Sequence, residues 1–420
     1  MKTFCIKTLG CKVNSYESEY IRNLFLNSGY IYDENNPLVY VINTCTVTNE
    51  SDKKSRKIIN SIKRNHKDSV VVAVGCFCQN KKEDIEKCID ADIILGNKDK
   101  SKVVDYVSEY LQNKKKIIKI YDMENQEFEN MQISHFTDKA RAFVKIEDGC
   151  NNFCSYCIIP YVRGRIRSRS LPLIVKEAQD LVLNGHKEIV LTGIHIGNYG
   201  KDINLRLYDL LVELLKIGGL KRIRLSSIEV VELDDDIISL IENNKVLASH
   251  LHIPLQSGCD KILKLMNRRY LTKDYEEIID KIRKASPDIS VTTDVIVGFP
   301  NETEEDFKET YNFCKNIKFS KIHVFPYSDR TGTVASKMEN KVDQTIKKER
   351  VRKLINLSNE LEREYYYSFI GKKENVIIET FVDGSYIGHT SNYLKLKLVG
   401  DYEIKNEYEV TIEEDMLVIE

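Results

Sequence analysis

Cysteine placement is the first feature of this sequence that indicates chemistry. Three of the 11 cysteines, Cys150, Cys154 and Cys157, lie within the segment EDGCNNFCSYCIIPYVRGR. Their Cys-x3-Cys-x2-Cys spacing suits one face of a [4Fe–4S] cluster, whose irons are held by cysteine thiolates. Because the segment has no fourth cysteine, one iron is left open to a ligand such as S-adenosylmethionine (SAM). Zinc is the alternative, but it prefers four ligands, and the segment has only one Cys-x2-Cys pair.

A second group of cysteines follows three apolar segments that are predicted to be strands. Cys11, Cys45 and Cys76 end the segments KTLGC, VINTC and AVGC. The carboxyl ends of parallel strands meet at one edge of an open sheet, where ligands bind. We therefore expect these thiols to converge and to hold a second cluster, with three separately buried thiols as the alternative. Cys78 is either a spectator or a competing ligand.

The segments around these cysteines predict an α/β fold. Over residues 1–114, β-branched apolar runs alternate with charged amphipathic stretches, which is typical of an open parallel sheet with helices on both faces. One of these helices is predicted over SDKKSRKIINSIKRNH, with Ser51 as its N-cap. Residues 120–136 are polar and aperiodic, and they form a candidate linker.

Six further strand-like segments lie between residues 140 and 330, and helical stretches separate most of them. This alternation predicts a partial (βα)6 barrel rather than a closed eight-stranded one. A long charged helix is predicted over 341–368, and short alternating strands over 372–420 predict a small all-β domain. The barrel strand candidates are AFVKIED, EIVLTGI, RIRLSSIEV, SHLHIPLQ, ISVTTDVIVGF and KIHVFPYS.

Composition and charge are those of an ordinary globular protein of two or three domains. Apolar residues make up 42% of the 420 residues and charged residues 30%, and the formal net charge is -1. Any nucleic-acid surface must therefore be a local patch. The start of the sequence lacks the apolar run of a signal peptide, and no segment resembles a membrane span. We expect a cytoplasmic protein whose cysteines bind metal rather than form disulfides.

The loop cysteines, with Tyr156 just before the last of them, resemble the motif of the radical SAM superfamily. With the three front cysteines and the β-rich tail added, essentially the whole chain is similar to the radical SAM methylthiotransferases. TLGCKVNSYESE at 8–19 and CNNFCSYCIIPYVRGRIRSR at 150–169 look most like the bacterial branch that acts on N6-threonylcarbamoyladenosine in tRNA.

The resemblance implies three domains: a methylthiotransferase domain over 1–114, a radical SAM core over 136–366 and a TRAM domain over 369–420. It implies two [4Fe–4S] clusters and SAM as cofactors. The implied reaction replaces the C2 hydrogen of the modified adenosine at position 37 with a methylthio group, so the partner is the tRNA anticodon stem-loop. No acid/base catalyst is expected, because the C2 hydrogen has no useful acidity. A flavodoxin or ferredoxin reductant is also implied, and we expect a monomer.

Several polar or flexible residues at barrel strand ends become candidates for cofactor contacts through the same resemblance. Active sites of such barrels are built at these ends, and glycine permits close backbone approach. The candidates are Tyr156, Gly193, His195, Glu229, Gln256 and Asp294.

Basic residues at every second position follow the cluster segment. In an extended chain, Arg163, Arg165, Arg167 and Arg169 would all project to one side and could contact RNA phosphates. A solvated charge run is the alternative. The tail over 372–420 holds 5 Lys against 11 Asp and Glu, so an orienting role suits it better than a phosphate-binding one.

Other functions remain open at this point. A related methylthiotransferase could act on isopentenyladenosine in tRNA or on a ribosomal-protein aspartate. From another functional class, the chain could be a non-catalytic RNA-binding protein that holds iron–sulfur clusters or zinc.

Overall fold

The computed structural model of the protein describes residues 2–81, 84–137 and 139–419. Its amino-terminal part is an open parallel sheet with the strand order β2-β1-β3-β4-β5-β6. The central strands β3 and β4 are buried along their whole length, since helices cover both faces. The elements are β1 Thr3–Thr8, α1 Lys12–Asn27, β2 Ile31–Tyr32, β3 Val39–Thr44, α2 Asn49–Asn65, β4 Val70–Gly75, α3 Cys76–Asn80, α4 Ile85–Cys88, β5 Ile93–Leu95, α5 Val103–Asn113 and β6 Ile117–Lys119.

Two details of this part differ from the sequence-based prediction. Helix α2 begins earlier than predicted, because the Thr48 side chain caps it by accepting a hydrogen bond from the backbone N–H of Ser51. The sheet also extends past residue 114, because β6 pairs with β5 from Ile117 onward. The polar stretch that follows is not a free linker: Met131, Ile133 and Phe136 are buried in the core of the middle part.

The middle part is a six-stranded partial barrel, as the sequence predicts. Its strands form the orders β11-β10-β7 and β12-β13-β14, and single bridges from Ile223 to Leu247 and from Ser227 to His252 join the two groups. The elements are β7 Arg141–Lys145, β8 Glu147–Asp148, α6 Ile159–Arg163, β9 Arg167–Ser168, α7 Leu171–Leu183, β10 Glu188–Thr192, α8 Leu207–Leu214, β11 Arg222–Leu225, α9 Asp235–Asn243, β12 His250–His252, α10 Asp260–Leu265, α11 Thr272–Ala285, β13 Ser290–Val297, α12 Glu304–Ile317, β14 Lys321–Pro326 and α13 Gln344–Tyr367.

The carboxyl-terminal part, called the tail domain below (residues 372–419), is a small antiparallel sheet with the order β17-β16-β15-β18. Its strands are β15 Lys373–Val382, β16 Ser385–Thr390, β17 Lys395–Leu398 and β18 Glu407–Thr411. The predicted α/β fold with a small all-β tail is thereby confirmed. In the described part of the chain, every helix is too short or too polar to cross a membrane.

Two arginines of β11 attach the tail domain to the amino-terminal end of the barrel. Arg222 donates to the backbone oxygens of His389 and Asn375, at 3.0 Å each. Arg224 donates to the backbone oxygens of Ser391 and Thr390, at 3.1 Å each. Backbone oxygens of the tail domain thus accept the hydrogen bonds that these two buried arginines donate.

Glu188 on β10 balances these arginines from inside the barrel. Its carboxylate is 3.0 Å from Arg222 Nη1 and 2.8 Å from Arg224 Nε. Burial alone would raise the pKa of Glu188, but Arg224 and Arg222 outweigh it and lower the pKa to about 2. The carboxylate therefore stays ionised at neutral pH.

Tyr393 of the tail domain fills the centre of this contact. Its ring stacks on His250 with centroids 4.6 Å apart, and the Arg224 guanidinium lies 4.7 Å from the same ring. Arg141 Nη1 donates to the tyrosine hydroxyl at 3.3 Å. The tail domain therefore closes the floor of the barrel.

Replacing Arg224 with methionine should detach the tail domain. The change leaves buried acceptors on both sides without their donor, so we expect the free energy of unfolding to fall by about 3–5 kcal/mol. Urea unfolding and limited proteolysis of the tail would measure the loss. Arg206→Met, which removes an exposed arginine paired with Asp236, should leave both readouts close to wild type. Equal stability of the two variants would contradict this account of docking.

Candidate active site

The first three cysteines converge at one edge of the amino-terminal sheet. We call Cys11, Cys45 and Cys76 the front trio; they directly follow β1 with its loop, β3 and β4. Burial raises the pKa of Cys11, and the thiols of Cys76 and Cys45 are close enough to raise it further. The structure places the three thiols at the same edge of the sheet, after the carboxyl ends of their strands.

Gly10 allows two members of the front trio to approach. It has φ +99°, and a Cβ at this position would lie 2.8 Å from the Cys45 Cβ. A side chain here would meet both the steric clash and an unfavourable backbone conformation. Cys78, in contrast, lies in an apolar cluster with Phe77 and Ile94, where burial raises its pKa to about 12. That environment is typical of an inert thiol.

The second group, called the loop trio, is Cys150, Cys154 and Cys157. Burial raises the pKa of Cys157 to about 12, with Cys154 and Cys150 adding to the increase. The loop is held in an unusual conformation: Phe153 has φ +47°, and the Asn267 side chain donates to the Phe153 backbone oxygen at 3.1 Å. Such outliers are common at ligand-binding sites, where the surroundings enforce them.

The spacing of the thiols favours clusters over zinc. A tetrahedral zinc with Zn–S bonds of about 2.3 Å would bring its sulfurs to within about 3.8 Å of one another. Among the described residues, the sulfurs of neither trio all lie within 4.8 Å of one another. A group of that compactness is formed instead by Cys259, Asp306 and Glu309, where Asp306 is already paired with Lys261 at 2.6 Å. Two sets of three thiols can supply the thiolate ligands of two iron–sulfur clusters.

Arg268 is a residue of this site that the sequence reasoning missed. Its Nη1 donates to Cys154 Sγ at 3.3 Å and lies 2.7 Å from Glu229 Oε1, while Nη2 is buried with no hydrogen-bond partner among the residues that the structure describes. A guanidinium that retains a free donor beside a cluster ligand is suited to a carboxylate group. No short motif marks this arginine, because it follows α10 in a loop far from the cysteines in sequence.

Two predicted cofactor residues, Gly193 and His195, follow β10 near the loop trio. His195 Nδ1 lies 3.7 Å from Cys150 Sγ, and Nε2 lies 2.7 Å from Glu232. Burial lowers the pKa of His195, but these two contacts outweigh it and raise the pKa to about 11. Gly193 gives room to Glu147, whose carboxylate oxygen would lie 2.0 Å from a Cβ at position 193. Burial raises the pKa of Glu147 to about 8.

Of the other cofactor candidates, Gln256 follows β12, Asp294 lies on β13 and Tyr156 is in the loop of the trio itself. Gln256 adopts φ +66° and its backbone N–H donates to the Asp294 backbone oxygen at 2.8 Å. The Asp294 carboxylate faces inward and lies 3.2 Å from His252 Nε2. Tyr156 packs in an apolar cluster with Met266 and Phe299. The six candidates therefore surround the mouth in which the loop trio lies.

The prediction of a basic stripe is wrong in its geometry. Arg163 ends helix α6 rather than lying in an extended chain, and it is fully buried. Arg167 is buried and donates to the backbone oxygens of Arg163 and Arg165, and buried Arg169 contacts Glu177 and Tyr16. Of the four arginines, only Arg165 is exposed. The other three turn inward, where each lies near a buried carboxylate.

Arg163 links the front trio to buried carboxylates of both domains. Its Nε donates to Cys76 Sγ at 3.2 Å, and its Nη1 lies 3.0 Å from both Glu17 and Asp148. Lys145 and Lys100 complete this buried ion cluster, at 2.9 Å and 3.2 Å from Glu17. Burial alone would raise the pKa of Glu17, but Arg163 and the two lysines hold it well below its usual range. The ion pairs of this cluster therefore connect α1 of the amino-terminal domain with the barrel and with the end of α6.

A second contact joins the barrel to the loop of Cys45. Arg330, which follows β14, donates to Asn49 Oδ1 at 2.7 Å, to Asp52 at 3.0 Å and to Thr46 Oγ1 at 2.7 Å. It is 3% exposed, so these hydrogen bonds are shielded from water. Arg163 and Arg330 thus attach the domain of the front trio to the barrel at two places.

Comparison with known proteins agrees with this geometry. The radical SAM superfamily model matches residues 144–314, and the model described as uncharacterized protein family UPF0004 matches residues 3–96. The threonylcarbamoyladenosine tRNA methylthiotransferase MtaB of Bacillus subtilis is 45% identical over 410 residues, which cover 95% of this chain and 91% of the relative. The chain belongs to the radical SAM methylthiotransferases.

A second relative and a more distant solved structure are also similar to this methylthiotransferase. The tRNA-2-methylthio-N(6)-dimethylallyladenosine synthase of Acetivibrio thermocellus is 38% identical, with coverage of 90% of this chain and 81% of the relative. The radical SAM methyltransferase TsrM of Kitasatospora setae shares the fold with a TM-score of 0.58 at 12% identity, over 77% of this chain and 72% of that one. Radical SAM proteins bind a [4Fe–4S] cluster and SAM, and methylthiotransferases hold a second cluster.

Arg163 and Arg165 should respond to substitution in opposite ways. Arg163→Met leaves Glu17 and Asp148 buried with less compensating charge, so we expect a loss of about 3–5 kcal/mol in the free energy of unfolding. Arg165→Met should keep the stability of the wild type, because its side chain is exposed, and should weaken tRNA binding. Chemical unfolding of the metal-free protein and a tRNA filter-binding assay would measure the two effects. A stable Arg163→Met protein would contradict the role of the ion cluster.

Proposed function

We propose that this methylthiotransferase replaces the C2 hydrogen of N6-threonylcarbamoyladenosine at tRNA position 37 with a methylthio group. The observation that carries the proposal is the presence of two separate cysteine trios, one at the strand ends of the amino-terminal sheet and one in the loop before α6. One cluster would supply the radical chemistry, and the other would supply sulfur. The identity of 45% to a relative named for this substrate supports the choice of nucleoside.

The chain's own residues bind, orient and shield. The loop trio would hold the SAM cluster, and Arg268 would offer its free Nη2 to the SAM carboxylate. Tyr156 and the apolar residues around it would accept the adenine ring, while His195, Glu229, Gln256 and Asp294 would provide hydrogen bonds at the mouth, with Gly193 leaving room. The front trio would hold the second cluster. When bound, SAM and the clusters supply the radical and the sulfur that acid/base groups cannot provide.

An exposed patch beside the loop trio is proposed to contact the anticodon stem-loop. Tyr161 is 50% exposed and meets Phe153 edge to face at 5.6 Å, and Arg165 lies 4.5 Å from the Phe153 ring. Aromatic rings stack on unpaired bases and arginine pairs with phosphates, as RNA loops require. This patch replaces the four-arginine stripe as the proposed RNA contact.

Further partners follow from the same proposal. A flavodoxin or ferredoxin would deliver electrons to the loop-trio cluster, and the enzyme would act as a monomer in the cytoplasm. The domains would divide as a methylthiotransferase domain over 1–114 extended by β6, a radical SAM core over 136–366 and a TRAM domain over 369–420.

Isopentenyladenosine is the second candidate substrate. The relative from Acetivibrio thermocellus is named for dimethylallyladenosine, which is another name for the same nucleoside, and it is 38% identical to this chain. The two substrates share the adenine C2 position and differ in the group on N6, so the two cysteine trios cannot distinguish them.

Substitution of one cysteine in each trio should separate the two half-reactions. Cys154→Ala should abolish reductive cleavage of SAM to 5′-deoxyadenosine, because the loop cluster loses a ligand. Cys45→Ala should retain cleavage and form no methylthio product. Chromatography of 5′-deoxyadenosine and mass spectrometry of the tRNA product would score both after anaerobic reconstitution. Cys78→Ala is the control and should keep both activities; normal product from Cys45→Ala would contradict a sulfur-supplying front cluster.

Mass spectrometry of tRNA nucleosides from cells that lack this chain tests the substrate directly. We expect 2-methylthio-N6-threonylcarbamoyladenosine to disappear and its unmodified precursor to accumulate. Loss of 2-methylthio-N6-isopentenyladenosine instead, with accumulation of isopentenyladenosine, would assign the second candidate. No change in either nucleoside would refute both.

A further inference from the structure

A cavity of about 360 Å³ lies inside the barrel, between its floor and its mouth. Residues of one face of β12, β13 and β14 line it, among them His252, Thr292 and His323. The alternate residues Leu251, Val291 and Ile322 face the apolar core instead, which confirms that the cavity side is the barrel interior. Tyr393 and His389 of the tail domain close the cavity from below. Its size is within the range of small-molecule sites, about 300–1,000 Å³.

The lining of this cavity is strongly basic. Lys12, Lys321 and Lys395 contribute to it together with four histidines, whereas Glu362 is its one carboxylate among the described residues. Glu362 is already paired with Lys321. Burial and the neighbouring cations lower the pKa of His250 and of His323, as expected where positive charge is left uncompensated.

Lys12 is the cation that is left without a partner. It makes no hydrogen bond or ion pair with any residue that the structure describes, and its side chain projects into the cavity rather than into packed protein. It directly follows Cys11 at the start of α1. The cavity is therefore adjacent to the front trio, and His252 connects it to Asp294 at the mouth.

An exposed aromatic residue lies above the basic region. Phe325 is 45% exposed and lies on the same face of β14 as His323, one step nearer the carboxyl end. A base can stack on such a ring. The order from mouth to floor is thus an aromatic surface, then histidines, then an unpaired ammonium group.

We propose that this cavity binds the anionic N6 side chain of the substrate base, with Lys12 pairing with the carboxylate of its threonyl group. The inference rests on the proposed function and adds the means by which this enzyme selects its nucleoside. The adenine lies against Phe325, and the side chain extends past His323 toward Lys12. An isopentenyl group in the same place would desolvate lysine and histidine without offering them a partner, which is unfavourable.

Binding measurements on three stem-loop RNAs test the proposal without turnover. The RNAs are identical except at position 37, which carries threonylcarbamoyladenosine, its methyl ester or isopentenyladenosine. Full-length reconstituted protein is titrated by fluorescence anisotropy. We expect the acid to bind about tenfold to a hundredfold more tightly than the neutral ester, as for a charge-assisted contact. Equal affinity for acid and ester would overturn the proposal.

Three variants assign the effect to one side chain. Lys12→Met should bind acid and ester equally, at the wild-type affinity for the ester, and Lys12→Arg should restore part of the preference. Lys315→Met, which removes an exposed lysine on α12, should match wild type. Iron content, measured in parallel, verifies that the cluster beside position 12 is retained. Undiminished preference for the acid in Lys12→Met would refute the role of Lys12.

The same RNAs separate this inference from the function on which it rests. Methylthio product from the acid RNA without any preference over the ester would leave the proposed function intact and reject the carboxylate site. Product only from the isopentenyl RNA would reject the proposed nucleoside, and the carboxylate site with it.

Discussion

The structure depends on a buried cluster of charges shared by two domains. Arg163 of the barrel and Glu17 of the amino-terminal sheet domain lie 3.0 Å apart with side chains at most 1% exposed. Neither charge could be buried alone, because an unpaired ion in the interior costs several kcal/mol. The two domains must therefore fold against each other. Since the same guanidinium contacts Cys76, the position of the front trio is set by the contact that joins the domains.

Much of the fold could be predicted because the strands are short apolar runs with clear boundaries. All six barrel strands and the convergence of Cys11, Cys45 and Cys76 follow from hydrophobic periodicity and from the geometry of parallel sheets. Helix α2 starts before the predicted Ser51 because Thr48 and Ser51 are both residue types that cap helices, and the Thr48 side chain is the one that does so. Local pattern cannot decide between them.

The errors in the predicted site come from long-range pairing. The alternation of Arg163, Arg165, Arg167 and Arg169 is typical of a basic surface. Yet Arg163 pairs with Glu17, 146 positions away, and Arg169 pairs with Glu177 on the next helix, α7. Arg268 was missed for the same reason, because its contact with Cys154 spans 114 positions. A single sequence does not state which buried carboxylate or thiol a given arginine will meet.

The tail domain, whose Tyr393 closes the barrel floor, also places acidic side chains against the cations of that floor. Arg141 pairs with Glu379 at 3.1 Å, and Arg222 reaches Glu407 at 3.3 Å, so part of the negative charge neutralises barrel cations. The third domain thus serves as an end wall of the reaction chamber. Exchange of this domain between related enzymes would consequently alter the depth and polarity of the chamber itself, so the tail belongs to the substrate-selecting machinery as much as to any RNA-binding surface.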